Sequence, residues 1–161
     1  MSQLAAWAYD CDALHGKYID PDDVKIEGTP IGLDDPDVWK PADVVFIRKQ
    51  FPEKQPDGST GKHHIFTVTE VPSAIGKGKW EVTSVDGGSA TAGSDGSCMG
   101  ISTNTRVVEN TSRKLVVKVG KTFGDGVVEY WIDFAKVRFT DPSFFLREPG
   151  PEYPGPNDKW P

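Results

Sequence analysis

The sequence predicts an all-β protein: an antiparallel β-sandwich of jelly-roll or immunoglobulin-like type, with long loops and a Pro-rich C-terminal tail. Three observations carry that expectation. Short runs of β-branched and aromatic residues recur with a two-residue period. Gly and Pro, 17 and 13 of the 161 residues, punctuate those runs too closely for long helices. The longest apolar run, residues 113–146, reads as two strand-like segments around the turn FGDG at 123–126, whose residues tolerate positive φ.

Residues 2–9 read as a first strand, with Leu4, Ala6 and Ala8 alternating with Ala5, Trp7 and Tyr9. Residues 10–23 are polar and broken, and end in the acidic turn DPDD. A brief strand at 24–27 precedes a loop over 28–41, where Gly28, Pro30, Gly32, Pro36 and Pro41 crowd out regular structure. Residues 43–51, DVVFIRKQF, form a strand whose unbroken apolar stretch predicts cover on both faces. A polar loop at 52–62 returns into the strand HHIFTVTEV at 63–71. Residues 72–79 read as a turn, 80–85 as a strand, and 86–100 as a Gly- and Ser-rich surface loop. A strand resumes at 101–109 around Arg106, Val107 and Val108.

In the long apolar run, Leu115, Val117 and Val119 oppose Lys114 and Lys118. Val128, Tyr130, Ile132 and Phe134 then share a face against Glu129 and Asp133. Past Phe134 the apolar set becomes Ala135, Val137 and Phe139. One inserted residue reverses which side of a strand faces inward, so a β-bulge or bend is predicted at Phe134–Ala135. A helix through Val128, Trp131, Ile132, Ala135 and Phe139 fits the spacing too. Its β-branched and aromatic content and its lack of capping residues disfavour it. The predicted organisation is a β-sandwich domain over 1–146 and a Pro-rich surface tail over 147–161.

The formal charge of −6 and the absence of a basic block argue against nucleic acid as the main partner. No apolar run reaches the roughly 20 residues a membrane span needs. No basic leader precedes the first apolar residues, so a cytoplasmic location is expected, with non-classical export as the alternative. Cys11 and Cys98 leave open two free thiols or one bridge. No sequence motif asks for a cofactor.

Candidate chemistry is sparse. His63 and His64 are adjacent in a strand and point to opposite faces, so they do not share a metal; with His15 they are the chain's histidines. Asp20, Asp22, Asp34 and Asp37 lie in acidic turns that could give oxygens to calcium, without the EF-hand order, and turn residues are the simpler account. Residues 58–62, GSTGK, lack P-loop spacing and a following helix. Five tryptophans stand out. Trp131, on one strand face with Glu129 and Asp133, and Trp39, in a loop, are read as exposed indoles beside carboxylates, the pattern of a sugar-binding surface. Trp39, Trp131, Glu129 and Asp133 are therefore the candidate ligand-binding residues, and no catalytic residues are assigned.

Three stretches resemble a known family. Residues 5–23, AAWAYDCDALHGKYIDPDD, are similar to the opening of PixA/AidA-type bacterial inclusion-body proteins. DVVFIR at 43–48 resembles that family's D-x-V-x-[FW]-R strand, and DPSFF at 141–145 its closing Asp-Pro strand. Residues 137–140, VRFT, depart from the family's aromatic run, and the tail is extra. The resemblance implies a cytoplasmic, non-enzymatic, self-associating β-sandwich and transfers no catalytic residues.

The functional expectation is a non-catalytic, self-associating binding protein, a homo-oligomer with a carbohydrate or protein partner. A structural subunit of a tube, shell or filament is the second reading. A small β-barrel enzyme or ligand carrier, with a pocket lined by Tyr130, Phe134, Phe46 and Phe66, is the third.

Overall fold

The computed structural model describes residues 2–19, 25–31, 36–50, 61–89, 100–111, 114–118 and 125–138. They form helix α1 (Ser2–Asp10) and strands β1 (Leu14–Ile19), β2 (Lys25–Glu27), β3 (Val44–Gln50), β4 (Gly61–Val68), β5 (Ser73–Gly76), β6 (Lys79–Ser89), β7 (Gly100–Thr111), β8 (Lys114–Lys118) and β9 (Gly126–Ile132). The strand ladders are antiparallel. Six strands, in the order β9-β3-β4-β6-β7-β8, close into a barrel because β8 returns to β9. The protein is all-β as expected, but it is a barrel and not a sandwich. A two-residue period shows only that one strand face is buried; it does not say whether that face meets a second sheet or the far wall of the same one.

Two shared strands make the closure. β9 bonds β3 along one edge. Its other edge is divided, Val127 and Gly126 pairing with β8, and Ile132, Trp131 and Tyr130 with β1. β6 is divided likewise: Val85 and Ser84 pair with β4, and Glu81, Trp80 and Lys79 with β5. Strands β1, β2 and β5 thus lie outside the ring.

The bulge sits earlier than predicted. Phe46 pairs with Tyr130 and Ile47 with Val128, so Glu129 is the extra residue. Val128 and Trp131 therefore point into the barrel, while Tyr130 and Ile132 point out of it. The strand then stops at Ile132. Asp133 donates its amide to the Ala13 carbonyl at 2.9 Å, and residues 134–136 turn, so Phe134 is not a strand residue.

Two apolar layers result. Val45, Ile47, Phe66, Val68, Val82, Val108, Val117 and Val128 fill the barrel, with Trp39 packed among them. Outside it, Ala5, Ala8, Leu14, Tyr18, Phe46, Tyr130 and Ile132 pack under α1. β3 alternates between the layers, which is why its sequence is apolar without a break.

The expected first strand is helix α1. Ala5 and Ala8, three apart, are fully buried against the barrel's outer face, and Ala is the best helix former. The helix ends on Asp12 at φ 55°, with Ala13 N–H bonded to the Ala8 carbonyl and Asp12 N–H to that of Tyr9. That is a left-handed C-cap with Asp where Gly is usual. β1 and β5 fall in stretches the sequence reads as polar or turn. Gly16 permits β1 at φ 101°, where it donates to the Thr29 carbonyl and accepts from Gly28.

Candidate functional site

Residues before β3 and after β9 meet at one end of the barrel. Residues 36–38 form a single 3-10 turn that delivers Trp39 into the barrel mouth, its amide held by the Pro36 carbonyl at 3.1 Å. Trp39 meets Phe66 edge-on at 6.5 Å and lies tilted against Trp131 at 6.3 Å. His15 of β1 stacks on Trp131, the ring centroids 3.9 Å apart and the ring planes nearly parallel. Above these rings lies an open cleft of about 520 Å³. Trp39, Trp131, His15 and Asp133 line it together with the exposed rim residues Asp37, Val38, Lys40, Val71 and Lys136.

Asp43 ties the two walls of this cleft. One carboxylate oxygen accepts the Lys40 amide at 2.8 Å, and the other accepts the Phe134 amide at 3.0 Å. Burial raises its pKa above the ordinary aspartate value; the two amides work against that shift, and the neighbouring Asp133 charge adds to it.

Among the described residues, Trp39 Nε1, Trp131 Nε1 and Asp133 Oδ1, on residues that line the cleft, are buried and make no hydrogen bond. Asp133 Oδ2 meets Lys136 at 3.3 Å. Unsatisfied buried polar groups cost stability and are rare in native folds, so each calls for a hydrogen-bond partner from outside the described chain, an ordered water or a ligand.

Three of the four sequence-derived ligand residues therefore come together: Trp39, Trp131 and Asp133. Glu129, the bulge residue, is directed elsewhere and pairs with Arg48 at 2.6 Å. The expectation of exposed indoles is overturned, because Trp39 is 0% and Trp131 2% exposed. The bulge at Glu129 turns Trp131 inward. Neither ring can act as an open stacking platform. Of the acidic-turn candidates, Asp37 lies on the cleft rim, while Asp20, Asp22 and Asp34 lie outside the described residues, as do Cys98 and the tail. Among the described residues no group of His, Cys, Asp or Glu is placed to hold a metal ion, and no helix is long and apolar enough to cross a membrane.

A second polar cluster lies inside the barrel, across Phe66 from the tryptophans. The Arg106 guanidinium sits 4.9 Å over the Phe66 ring and bonds both Asp86 and Ser84. His64 Nε2 meets Asp86 Oδ2 at 2.8 Å. β4 and β6 pair at Thr67↔Val85 and Val68↔Ser84, and the Thr69 amide donates to the Thr83 carbonyl, so His64–Asp86 bridges the two strands beyond the paired stretch. Arg106 and Asp86 are buried, and their ion pair is closed within the cluster. Of these residues the sequence singles out only His64, although a signal for the others existed. On β6 the inward set Trp80 and Val82 continues into Ser84 and Asp86, and on β7 Arg106 shares the face of Val108.

The residues proposed for an interior pocket do not assemble one. Phe66 is inside; Phe46 and Tyr130 stack on each other at 4.6 Å outside, and Phe134 is exposed on its turn.

No protein-family model matches the chain, and searches of curated proteins and of solved structures find no match either.

Proposed function

We propose that this protein is a non-catalytic binding module whose partner, a protein or a carbohydrate, seats in the cleft over Trp39 and Trp131. The observation that carries the reading is the recess itself, lined by Trp39, Trp131 and Asp133, whose side chains carry buried polar atoms without a hydrogen bond, and by the exposed apolar rim residues Val38 and Val71. Recesses with an apolar lining and a few converging polar groups are where proteins bind ligands. The His64–Asp86–Arg106–Ser84 cluster, by contrast, satisfies most of its groups internally, which supports a structural role. The test is a glycan array and a peptide-display library, each run against the native protein and Val71→Asp. The reading expects ligands that Val71→Asp loses. Silence from both libraries, or ligands indifferent to Val71→Asp, contradicts it.

Self-association is a second reading, favoured by β5. All four of its residues are exposed, none is charged, and Ile75 is 53% exposed. Edge strands usually carry charge to discourage pairing with another copy. Light scattering should show association in the native protein that Ile75→Lys reduces. A monomer in both cases removes this reading.

A further inference from the structure

Resting on the reading of β5 as a self-associating edge, we infer that two copies of this chain pair through β5 across a two-fold axis, antiparallel and centred on Ala74, and that assembly stops at the dimer. The edge is open. Among the described residues β5 pairs only with β6, and all four of its residues are exposed. Apart from its chain neighbours, nothing described lies within 4 Å of a Cβ placed on Gly76. An unpaired edge presents backbone donors and acceptors that another strand can satisfy. Its ends are set by the sequence. Pro72 precedes β5 and has no N–H. Beyond Gly76 the chain turns away through Lys77 and Gly78, the latter at φ 67°.

Charge selects a second copy as the partner, and fixes its direction. Acid stands at one end of the strand: Glu70 precedes it, and Glu81 lies across from Ser73. Base stands at the other: Lys77 follows it, and Lys79 lies across from Gly76. All four side chains are exposed. An antiparallel copy lays the acidic end of each strand against the basic end of the other, whereas a parallel copy sets like against like. Lys79 is already paired with Glu109 at 2.9 Å, so Lys77 is the base that answers Glu70. An antiparallel two-fold sets one residue opposite itself, and within β5 three pairs form only around Ala74 or Ile75. Glu70 stands four positions before Ala74 and Lys77 three after it. A dyad on Ala74 therefore brings them within one position of each other, and a dyad on Ile75 leaves three between them. The β5–β6 register slips between Ala74 and Gly76, so the regular part of the strand also lies at the Ala74 end. Each Ile75 then faces Ser73 of the other copy. Both edges are consumed, and a third copy has no edge to join.

The experiment is light scattering at up to about 1 mM chain, because so short an edge gives a weak contact. The expected mass is that of two chains and no more. Lys77→Glu sets acid against acid and should weaken the dimer about fivefold; adding Glu70→Lys should restore it. Ala74→Cys under mild oxidation should give a disulfide joining position 74 of the two copies, located by mass spectrometry. The native chain, with its own Cys11 and Cys98, and a variant at the exposed Thr105, Thr105→Cys, should give no such crosslinked dimer. Absence of the charge-swap rescue or of the disulfide, in a protein whose association Ile75→Lys still reduces, overturns the antiparallel geometry and leaves association through β5. Assemblies larger than two overturn the closure. A monomer at every concentration, or association indifferent to Ile75→Lys, overturns β5 as a self-associating edge.

Discussion

The two polar regions on either side of Phe66 are built on opposite terms. On one side Arg106, Asp86, Ser84 and His64 hold one another, and only Arg106 Nε is left over. On the other, Trp39, Trp131 and Asp133 carry polar atoms that nothing in the described chain satisfies. Both groups are desolvated, so the free-energy cost of burial is incurred twice. The first cluster offsets it internally and contributes to folding. The second leaves it standing, which is the basis of the proposed binding role.

The largest effect should come from breaking the closed network. Arg106→Ala leaves the buried Asp86 with only His64 and Ser84 as partners, and urea unfolding should report a loss of about 3–5 kcal/mol. The double change Arg106→Met with Asp86→Leu should recover most of that loss, because it removes both charges together. If the single variant costs no more than the double, the network is not acting as a closed unit.

Next in size is Asp43, which joins the walls of the cleft. Asp43→Ala strands two backbone amides and should cost about 1–3 kcal/mol in the same assay. Asp43 also sets a sign for pH dependence. Its folded pKa is raised, mainly by burial, so the folded state binds the proton more tightly than the unfolded chain. Stability from this group must therefore fall as pH rises from the ordinary aspartate value through the raised one, and level off above it. Asp43→Asn should lose that slope. A slope of opposite sign would contradict the burial argument.

The smallest effect on stability belongs to the rim. Val71→Asp should change the unfolding free energy by no more than about 0.5 kcal/mol, as exposed substitutions do. Ligand binding should nonetheless be lost. A variant that is destabilised as well would place Val71 in the core and not on a binding surface.

What was legible in the sequence follows the same divide. β3, β4, β6, β7 and the β8–β9 pair were visible because their alternation or continuous apolar run survives any packing partner. Barrel closure was not visible, since it depends on β9 and β6 each dividing one edge between two neighbours. α1 reads as a strand when Leu4, Ala6 and Ala8 are counted in twos. It is a helix because Ala5 and Ala8 are the residues buried. The composition of the site was partly legible in Trp39, Trp131 and Asp133, but its geometry was not. The bulge at Glu129 lies five residues before the predicted position at Phe134, and a shift of phase exchanges inside for outside. Asp43 gives no sequence signal beyond standing ahead of an apolar strand. Arg106 is legible only once β6 and β7 are paired.

One measurement bears most directly on the distinction between network and floor: equilibrium unfolding of Asp133→Asn against the native protein, without ligand. If Asp133 Oδ1 is held unsatisfied for a partner, removing the charge relieves its desolvation and its repulsion of Asp43, against the loss of an ion pair to the exposed Lys136 that is worth little. The variant should then be as stable as the native protein or more so, while losing the ligand. A loss of more than about 1 kcal/mol, the typical worth of a hydrogen bond already made, would show that Asp133 is satisfied in the free protein and that the cleft is an ordinary piece of the fold.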